Sequence, residues 1–171
     1  MANITIQKAT DLRSIQAKYK NALDETNLLI RQQLNSVAPQ SVTLAETLEK
    51  SRGKQLRPLF CYSVFNGFGK EAEQAAHLAA VFESIHIASL LHDDVIDKCH
   101  LRRNMPTINK VYSDGVAILL GDLMFVAIYQ LAATTKELWL IEKVSETIRL
   151  LVEGELLQQK YRFNEETCEN D

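Results

Sequence analysis

Glycine, proline, cysteine and tryptophan are scarce in this chain of 171 residues, which contains 6, 3, 3 and 1 of them respectively. So few helix-breaking residues leave long stretches free to be helical, and the frequent alanine, leucine, glutamate, glutamine and lysine favour helix. The three cysteines, Cys61, Cys99 and Cys168, show no metal-binding spacing and are odd in number. Reduced thiols in a cytoplasmic protein are the simplest interpretation.

A strong net charge and a long apolar run are also missing. The formal net charge of −3 gives no general attraction for nucleic acid or anionic membranes. The first ten residues are polar and contain no apolar core of a signal peptide. No window approaches the roughly 18 uninterrupted apolar residues of a membrane span, so the sequence predicts no transmembrane segment. Hydrophobic residues make up 46% and charged residues 24%, which is typical of a globular domain.

Apolar residues recur at helical spacing along most of the chain, and no strand-like alternation is present. Two of the predicted helices, 71–97 and 116–133, are apolar on most sides and are therefore expected at the centre of the fold. The sequence predicts an all-α helical bundle forming a single domain over residues 1–171. The predicted helices are 11–35 (with Asp11 as its N-cap), 41–49, a helix that has Pro58 in its first turn and ends at Phe65, 71–97, 116–133 and 138–160, with 99–109 as a connection.

The run LLHDDVID, residues 90–97, carries three carboxylates within five positions. On a helix, Asp93 and Asp97 project from one face and can bind the same cation. Like charges this close repel each other, so a positive partner is expected. Mg²⁺ combines one or two carboxylates with phosphate oxygens, and the following pair Arg102 and Arg103 suits phosphate because guanidinium groups bind it as a planar fork. The run therefore predicts a magnesium-bridged diphosphate site.

Basic residues occur in a second place, at the start of a predicted helix. Lys54 and Arg57 are three apart there, where free backbone N–H groups also attract anions. Glu83, His86 and His92 interrupt the apolar helix that precedes the aspartates. Taken from the residues alone, a histidine in such a helix is most often a satisfied core group. The whole set nevertheless suits two diphosphates, one held through metal and one held directly.

Several motifs together resemble the trans-polyprenyl diphosphate synthases. In the order of that family the chain carries GKQLRP, the run from Glu83 to Asp97, LRRNMPTIN, Leu120-Gly121-Asp122, and Glu153-Gly154-Glu155 followed by Gln158. The match covers roughly residues 51–159. The resemblance implies a helical bundle of the isoprenoid synthase type, and it implies condensation of isopentenyl diphosphate with an allylic diphosphate to a longer trans-polyprenyl diphosphate.

The resemblance also implies roles for individual residues. Asp93 and Asp97 correspond to the ligands of the Mg²⁺ ions that hold the allylic diphosphate, and Arg102 corresponds to the arginine that contacts the same diphosphate. Gln158 falls where the family has a glutamine near the reacting prenyl groups, so Asp93, Asp97, Arg102 and Gln158 are the implied catalytic set. Isopentenyl diphosphate would be bound without metal by Lys54, Arg57, His86 and Arg103. Glu153 and Glu155 are interpreted as structural or only distantly coupled to the site.

The chain departs from the family pattern in two substitutions and one absence. Asn104 replaces the glycine that usually follows the arginine pair, and Gln55 replaces a frequent arginine. A second aspartate-rich motif, which family members carry in their later half, has no counterpart here. We therefore expect a truncated N-terminal portion of such a domain that is weak or inactive alone, and a homodimer, since family members are typically homodimers.

Three interpretations remain open. The chain is either half of a prenyltransferase or a non-catalytic, regulatory subunit of a heteromeric synthase, to which a second chain supplies the missing acids. A helical interaction module without any ligand is a third interpretation.

Product length is predicted from the residues one turn before the aspartates. Ala88 and Ser89, with Ile85 a further turn back, are not bulky aromatics, which favours medium- to long-chain products.

Overall fold

The computed structural model describes residues 11–37, 53–71 and 75–162. Within them the chain is almost wholly helical, which confirms the predicted all-α class. The helix predicted over 41–49 lies outside the described residues. The helices are α1 (Leu12–Lys18), α2 (Lys20–Val37), α3 (Leu56–Gly67), α4 (Ala76–Ile96), α5 (Ile108–Val111), α6 (Asp114–Thr134) and α7 (Leu138–Tyr161), and two strands, β1 (Leu101–Arg102) and β2 (Met105–Pro106), separate α4 from α5.

Two helices stand where the sequence predicts one helix over 11–35. The backbone leaves helical geometry at Tyr19, which ends α1, and α2 begins at the next residue. The predicted N-cap is present, since the Asp11 carboxylate accepts a hydrogen bond of 2.7 Å from the Ser14 backbone N–H. Tyr19 is itself buried against Tyr62 of α3, so the bend places its ring in the core.

The main core lies between α4 and α6, as the sequence predicts. Small side chains at this interface, Ala80 and Ala88 on α4 and Ala117 on α6, are fully buried and allow the helices to pack closely. Leu120, Met124 and Ile128 fill the space between these small residues, and α2 and α7 add further side chains to the same cluster. This packing fixes α4, whose C-terminal end carries the acidic run.

A second apolar cluster joins α1 and α2 to α3. Tyr62 is fully buried there, and its hydroxyl donates a hydrogen bond of 2.7 Å to the Ala22 carbonyl while also contacting the Thr26 hydroxyl. A buried hydroxyl needs such partners, because an unsatisfied polar group inside a protein is costly. This cluster holds the start of α3, with Lys54 and Arg57, beside α4.

The connection over 99–109 contains a β-hairpin, which the sequence analysis did not predict. β1 and β2 pair antiparallel, with Leu101 opposite Pro106 and Arg102 opposite Met105. The two turn residues, Arg103 and Asn104, have φ angles of 53° and 63°, and two-residue hairpin turns often need this left-handed conformation at both positions. Asparagine tolerates it better than most residues do, which explains how Asn104 replaces the usual glycine.

Among the described residues, one helix is long and apolar enough to cross a membrane by length and composition, namely α6 (Asp114–Thr134). The sequence analysis expected no such segment. The core helix of a globular protein passes the same test, and eight residues of α6 are buried, six of them in the cluster with α4. The buried share of its apolar window is 44%, and Ile118, Leu119 and Val126 are exposed, so packing against α4 accounts for part of its apolar surface.

Candidate active site

The predicted diphosphate-binding residues come together around one cavity of about 380 Å³. Three elements form it: the segment that leads into α3, the middle of α4, and the hairpin with the first residue of α5. The cavity is lined by Lys54, Arg57, His86, Arg102 and Arg103, all five of the residues expected to bind diphosphates. These positions span 50 residues of sequence, so only the fold unites them. Glu83 and Asp94, which were not predicted to bind substrate, line it as well.

Gly53 lies directly against the guanidinium group of Arg103. A Cβ atom built on Gly53 would overlap the Nη and Cζ atoms of that side chain. A residue with any side chain at this position would have to displace Arg103 from the cavity wall. The glycine of the GKQLRP motif is thus explained by the close approach of an arginine that lies 50 positions later.

The segment that bears Lys54 is tied to α1 and α2. The Lys54 carbonyl accepts a hydrogen bond of 3.1 Å from the Gln16 side chain, and Gln55 donates one of 2.7 Å to the Asn27 side chain. Gln55 adopts a left-handed conformation with a φ of 50° at the start of α3. The residue that replaces a frequent arginine of the family therefore anchors this segment to α2.

His86 lies in a strongly positive part of the cavity. Burial and, to a smaller extent, the nearby charges of Arg57, Arg103 and Arg102 together lower the pKa of His86 from 6.5 to about 4. The imidazole is therefore neutral at neutral pH. The positive field of the three arginines favours a bound anion beside His86, and a contact of His86 with a diphosphate stays a prediction.

The acidic end of α4 forms a separate region. Asp93 and Asp97 do not line the cavity and lie toward α7 instead. Burial raises the pKa of Asp93, and the charges of Glu155 and Asp97 raise it further, while Arg102 opposes them. Glu155 was interpreted as structural or distantly coupled, but α7 brings its charge close enough to act on Asp93. Nothing in the sequence spacing of 62 residues signals this proximity.

Two further residues of α7 and its end bear on this region. Arg162 donates a hydrogen bond of 2.9 Å to Asp97, in an ion pair whose side chains are 42% and 48% exposed. Such exposed pairs contribute little to stability. Gln158 is exposed and does not line the cavity, and its backbone carbonyl accepts from the Arg162 N–H. The structure thus places Gln158 near the acidic end and apart from the cationic cavity.

Asp94, about 100° around the helix from Asp93, lines the cationic cavity and is only 6% exposed. Its Oδ1 atom accepts hydrogen bonds from Arg102 Nε at 3.0 Å and from Arg102 Nη2 at 2.7 Å. This hydrogen bond raises the pKa of Arg102 above its ordinary value. The sequence analysis did not predict this pairing, because the sequence does not show in which direction the side chain of Asp94 points.

The described acids fit a metal that also binds phosphate. In the ranges 11–37, 53–71 and 75–162, no group of three histidine, cysteine, aspartate or glutamate side chains could hold a metal ion by itself. Asp93 and Asp97 supply two carboxylates, and their crowding with Glu155 favours a bound cation. Mg²⁺ is suited to such a partial set, since it takes one or two carboxylates plus phosphate oxygens and water.

A second, mostly apolar cavity of about 680 Å³ adjoins the first. It lies between α3, α4 and α7 and shares Leu56, Arg57 and His86 with the cationic cavity. Ile85 and Ser89, two of the positions expected near a growing chain, line it, whereas Ala88 is buried in the α4–α6 core. Phe60 and Phe82 also line it and were not considered from the sequence.

Comparison with known proteins now places this geometry in a family. The polyprenyl synthetase family model matches residues 39–171. A prenyl transferase of Synechocystis sp. (strain ATCC 27184 / PCC 6803 / Kazusa) is 40% identical over 126 residues, which are 72% of this chain and 39% of the relative. The chain belongs to the polyprenyl synthetase family, as the motifs predict.

Solved structures agree. The fold is similar to that of a decaprenyl diphosphate synthase from Rhodobacter capsulatus, with a TM-score of 0.79 and 29% identity over 88% of this chain and 46% of that one. It is also similar to a polyprenyl synthase from Caulobacter crescentus CB15 complexed with calcium and isoprenyl diphosphate, with a TM-score of 0.76 and 27% identity over 90% of this chain and 47% of that one. The isoprenoid synthase-type bundle is thereby confirmed. The chain spans between a third and a half of the length of the curated relatives it matches.

Proposed function

We propose that this chain provides the first half of the active site of a trans-prenyltransferase, which condenses isopentenyl diphosphate with an allylic diphosphate. The observation that carries the proposal is the cationic cavity. Lys54, Arg57 and Arg103 converge there on a neutral His86, beside an acidic helix end suited to a divalent cation. Such a juxtaposition suits two diphosphates held in different ways.

The residues would divide the work between the two substrates. Lys54, Arg57 and Arg103 neutralise the diphosphate of the isopentenyl substrate, and neutral His86 can donate one hydrogen bond to it. Arg102 reaches the diphosphate of the allylic substrate, where it stabilises the charge that develops as this group departs. Mg²⁺, bound by Asp93 and Asp97, would neutralise that same leaving group. A role for Gln158 near the reacting prenyl groups stays a prediction.

The apolar cavity supports medium- to long-chain products. It adjoins the cationic cavity through Arg57 and His86, so a diphosphate bound in one can extend its hydrocarbon tail into the other. Ile85 and Ser89 leave the wall near the aspartates without aromatic rings, while Phe60 and Phe82 lie on the same cavity and limit its width. The similarity to a protein named as a decaprenyl diphosphate synthase agrees with this length.

Binding of isopentenyl diphosphate to the chain, in EDTA and without added metal, tests the proposal. Because each charge-assisted hydrogen bond contributes about 1.5–3 kcal/mol, Arg57→Ala should weaken binding roughly 10- to 150-fold. Lys143→Ala is the matched control, since Lys143 is exposed on α7 and pairs only with Glu146 among the described residues. Isothermal titration calorimetry measures both. No binding by the wild type, or equal binding by Arg57→Ala, would contradict the proposal.

A second candidate is a non-catalytic or regulatory subunit of a heteromeric prenyl diphosphate synthase. The exposed apolar surface of α7 favours it: Leu150, Leu156 and Leu157 are 53%, 65% and 54% exposed. Surfaces of this kind usually mark an interface. A partner chain that carries the later half of the fold, with the second aspartate-rich motif, fits this surface. The chain should then show turnover only when that partner is added, and multi-angle light scattering should detect the complex.

The oligomeric state, the location and the domain organisation are further expectations for the proposed enzyme. We expect a homodimer by analogy with the family. We also expect a cytoplasmic location, with which the free thiols of Cys61 and Cys99 agree. That residues 1–171 form a single domain stays a prediction.

A further inference from the structure

The three carboxylates of the acidic run point in two directions. Asp93 and Asp97 are four residues apart and lie toward α7, where Glu155 and Arg162 act on them. Asp94 is one position further round the helix, which turns its side chain by about 100°. It therefore lines the cationic cavity, buried at 6% exposure. The run therefore contributes side chains to two regions, the acidic region near α7 and the cationic cavity.

Asp94 ties three elements together at this point. Its side chain accepts from two N–H groups of Arg102 on β1, as the 3.0 and 2.7 Å distances show. Its backbone carbonyl accepts from the Cys99 N–H at 2.8 Å and from the Asn109 side chain of α5 at 3.2 Å. The end of α4, the hairpin and α5 are consequently joined through this one residue.

We infer that Asp94 is a positioning residue, which holds the Arg102 guanidinium at the cavity wall for a diphosphate and does not bind the metal. This inference rests on the proposed function. An arginine side chain has several rotatable bonds, and fixing it on binding costs conformational entropy. When Asp94 fixes Arg102 beforehand, that cost is met during folding and the diphosphate meets an already oriented donor.

The geometry favours this role over metal ligation. Oδ1 of Asp94 already accepts two hydrogen bonds from a cation, which satisfies much of its charge. Asp94 also lines the cationic cavity, which Asp93 and Asp97 do not. A half-buried arginine paired with a buried carboxylate is well placed for this task, since the planar guanidinium keeps further N–H groups directed elsewhere.

A double-mutant cycle with inorganic pyrophosphate tests the inference. Asp94→Asn should weaken pyrophosphate binding at saturating Mg²⁺ roughly 2- to 12-fold, the cost of fixing one arginine side chain on binding. Arg102→Gln, which loses the contact with pyrophosphate itself, should weaken it roughly 10- to 150-fold. The double variant should be within about twofold of Arg102→Gln, because Asp94 acts only through Arg102. Asp24→Asn, at an exposed site on α2, is the matched control.

The Mg²⁺ requirement separates a positioning role from metal ligation. Asp97→Asn should raise the Mg²⁺ concentration for half-maximal pyrophosphate binding, whereas Asp94→Asn should leave it unchanged. Additive effects in the double variant, or a raised Mg²⁺ requirement in Asp94→Asn, would overturn the inference and leave the proposed function standing. Absence of any pyrophosphate binding by the wild type would overturn both.

A measurement on the wild type covers the case in which Asp94→Asn does not fold. The ¹⁵Nε signal of Arg102, assigned by its loss in Arg102→Gln, should show a slowly exchanging proton in the free chain. It should stay so when Mg²⁺ and pyrophosphate are added, because the bond to Asp94 persists. Rapid exchange in either state would mean that Asp94 does not hold this guanidinium, and the inference would fail.

Discussion

Replacement of Gly53 by alanine should weaken diphosphate binding with little effect on folding. The structure leaves no room for a Cβ on Gly53, because the Arg103 guanidinium occupies that space. The φ of Gly53 is not in the left-handed region, so the backbone accepts alanine without strain. The overlap is with the far end of a flexible side chain, and Arg103 can therefore move away without disturbing the core.

The size of the effect follows from what Arg103 loses. Displacement removes one charge-assisted contact to the diphosphate, about 1.5–3 kcal/mol, and hence roughly 10- to 150-fold in affinity. Gly→Ala at a compatible position stabilises by about 0.4–1 kcal/mol through the unfolded chain. The free energy of unfolding should therefore change by less than about 1 kcal/mol. Calorimetric titration with isopentenyl diphosphate and urea denaturation measure the two quantities on one preparation.

Gly67→Ala is the control for the same substitution elsewhere. A Cβ on Gly67, at the end of α3, would meet nothing within 4 Å. Its diphosphate affinity should equal that of the wild type. If Gly53→Ala bound diphosphate as tightly as Gly67→Ala does, the contact with Arg103 would have no bearing on the site. If Gly53→Ala were strongly destabilised, Gly53 would have a role in packing in addition to its contact with the Arg103 side chain.

Three other perturbations test the packing and the electrostatics. Tyr62→Phe should cost about 1–3 kcal/mol in urea denaturation, because it removes the hydroxyl that donates to Ala22 and contacts Thr26; a cost below the measurement error would contradict this. Gly121→Ala should cost about 1–3 kcal/mol, since Gly121 is buried and its Cβ would lie 2.5 Å from the ring of the partly buried His92. An unchanged melting temperature would refute this close contact. The pKa of His86 is lower in the folded chain, so the unfolded chain takes up a proton first as the pH falls. The free energy of unfolding should therefore decrease between pH 6.5 and about 4. The decrease should be smaller in His86→Gln, which lacks the titrating group.

The sequence predicted the parts of the fold that repeat a local pattern. The all-α class follows from helical periodicity, and the central positions of α4 and α6 follow from helices that are apolar on most sides. Lys54, Arg57, Arg102 and Arg103 were proposed as phosphate-binding residues from their chemistry and position, and the resemblance to a family added their individual roles and that of His86. No local rule says that Lys54 and Arg103 face the same space, because the fold alone sets contacts over such separations.

The features that the sequence did not predict depend on turn geometry, on the direction of single side chains and on the path of a helix. The hairpin has strands of only two residues, too short for an alternating pattern, and its turn depends on left-handed Arg103 and Asn104. The pairing of Asp94 with Arg102 depends on which way one side chain points. The proximity of Glu155 to Asp93 depends on the path of α7. None of these features leaves a periodic trace in the sequence.

The two halves of the site depend differently on α7. The cationic cavity is built from α3, α4 and the hairpin, and both helices carry several buried side chains, whereas Asp93 and Asp97 lie toward α7. Only Leu140 and Val144 of α7 are buried, and its distal half exposes leucines.

Elements with few buried contacts open locally at low free energy. Backbone amides over 150–161 should therefore exchange hydrogen much faster than those over 79–91, and isopentenyl diphosphate should protect the segment around Lys54 and Arg57 without slowing exchange over 150–161. Slow exchange over 150–161 in the isolated chain would show that this half of α7 is already covered. It would contradict the proposal that a partner chain binds the exposed leucines of α7.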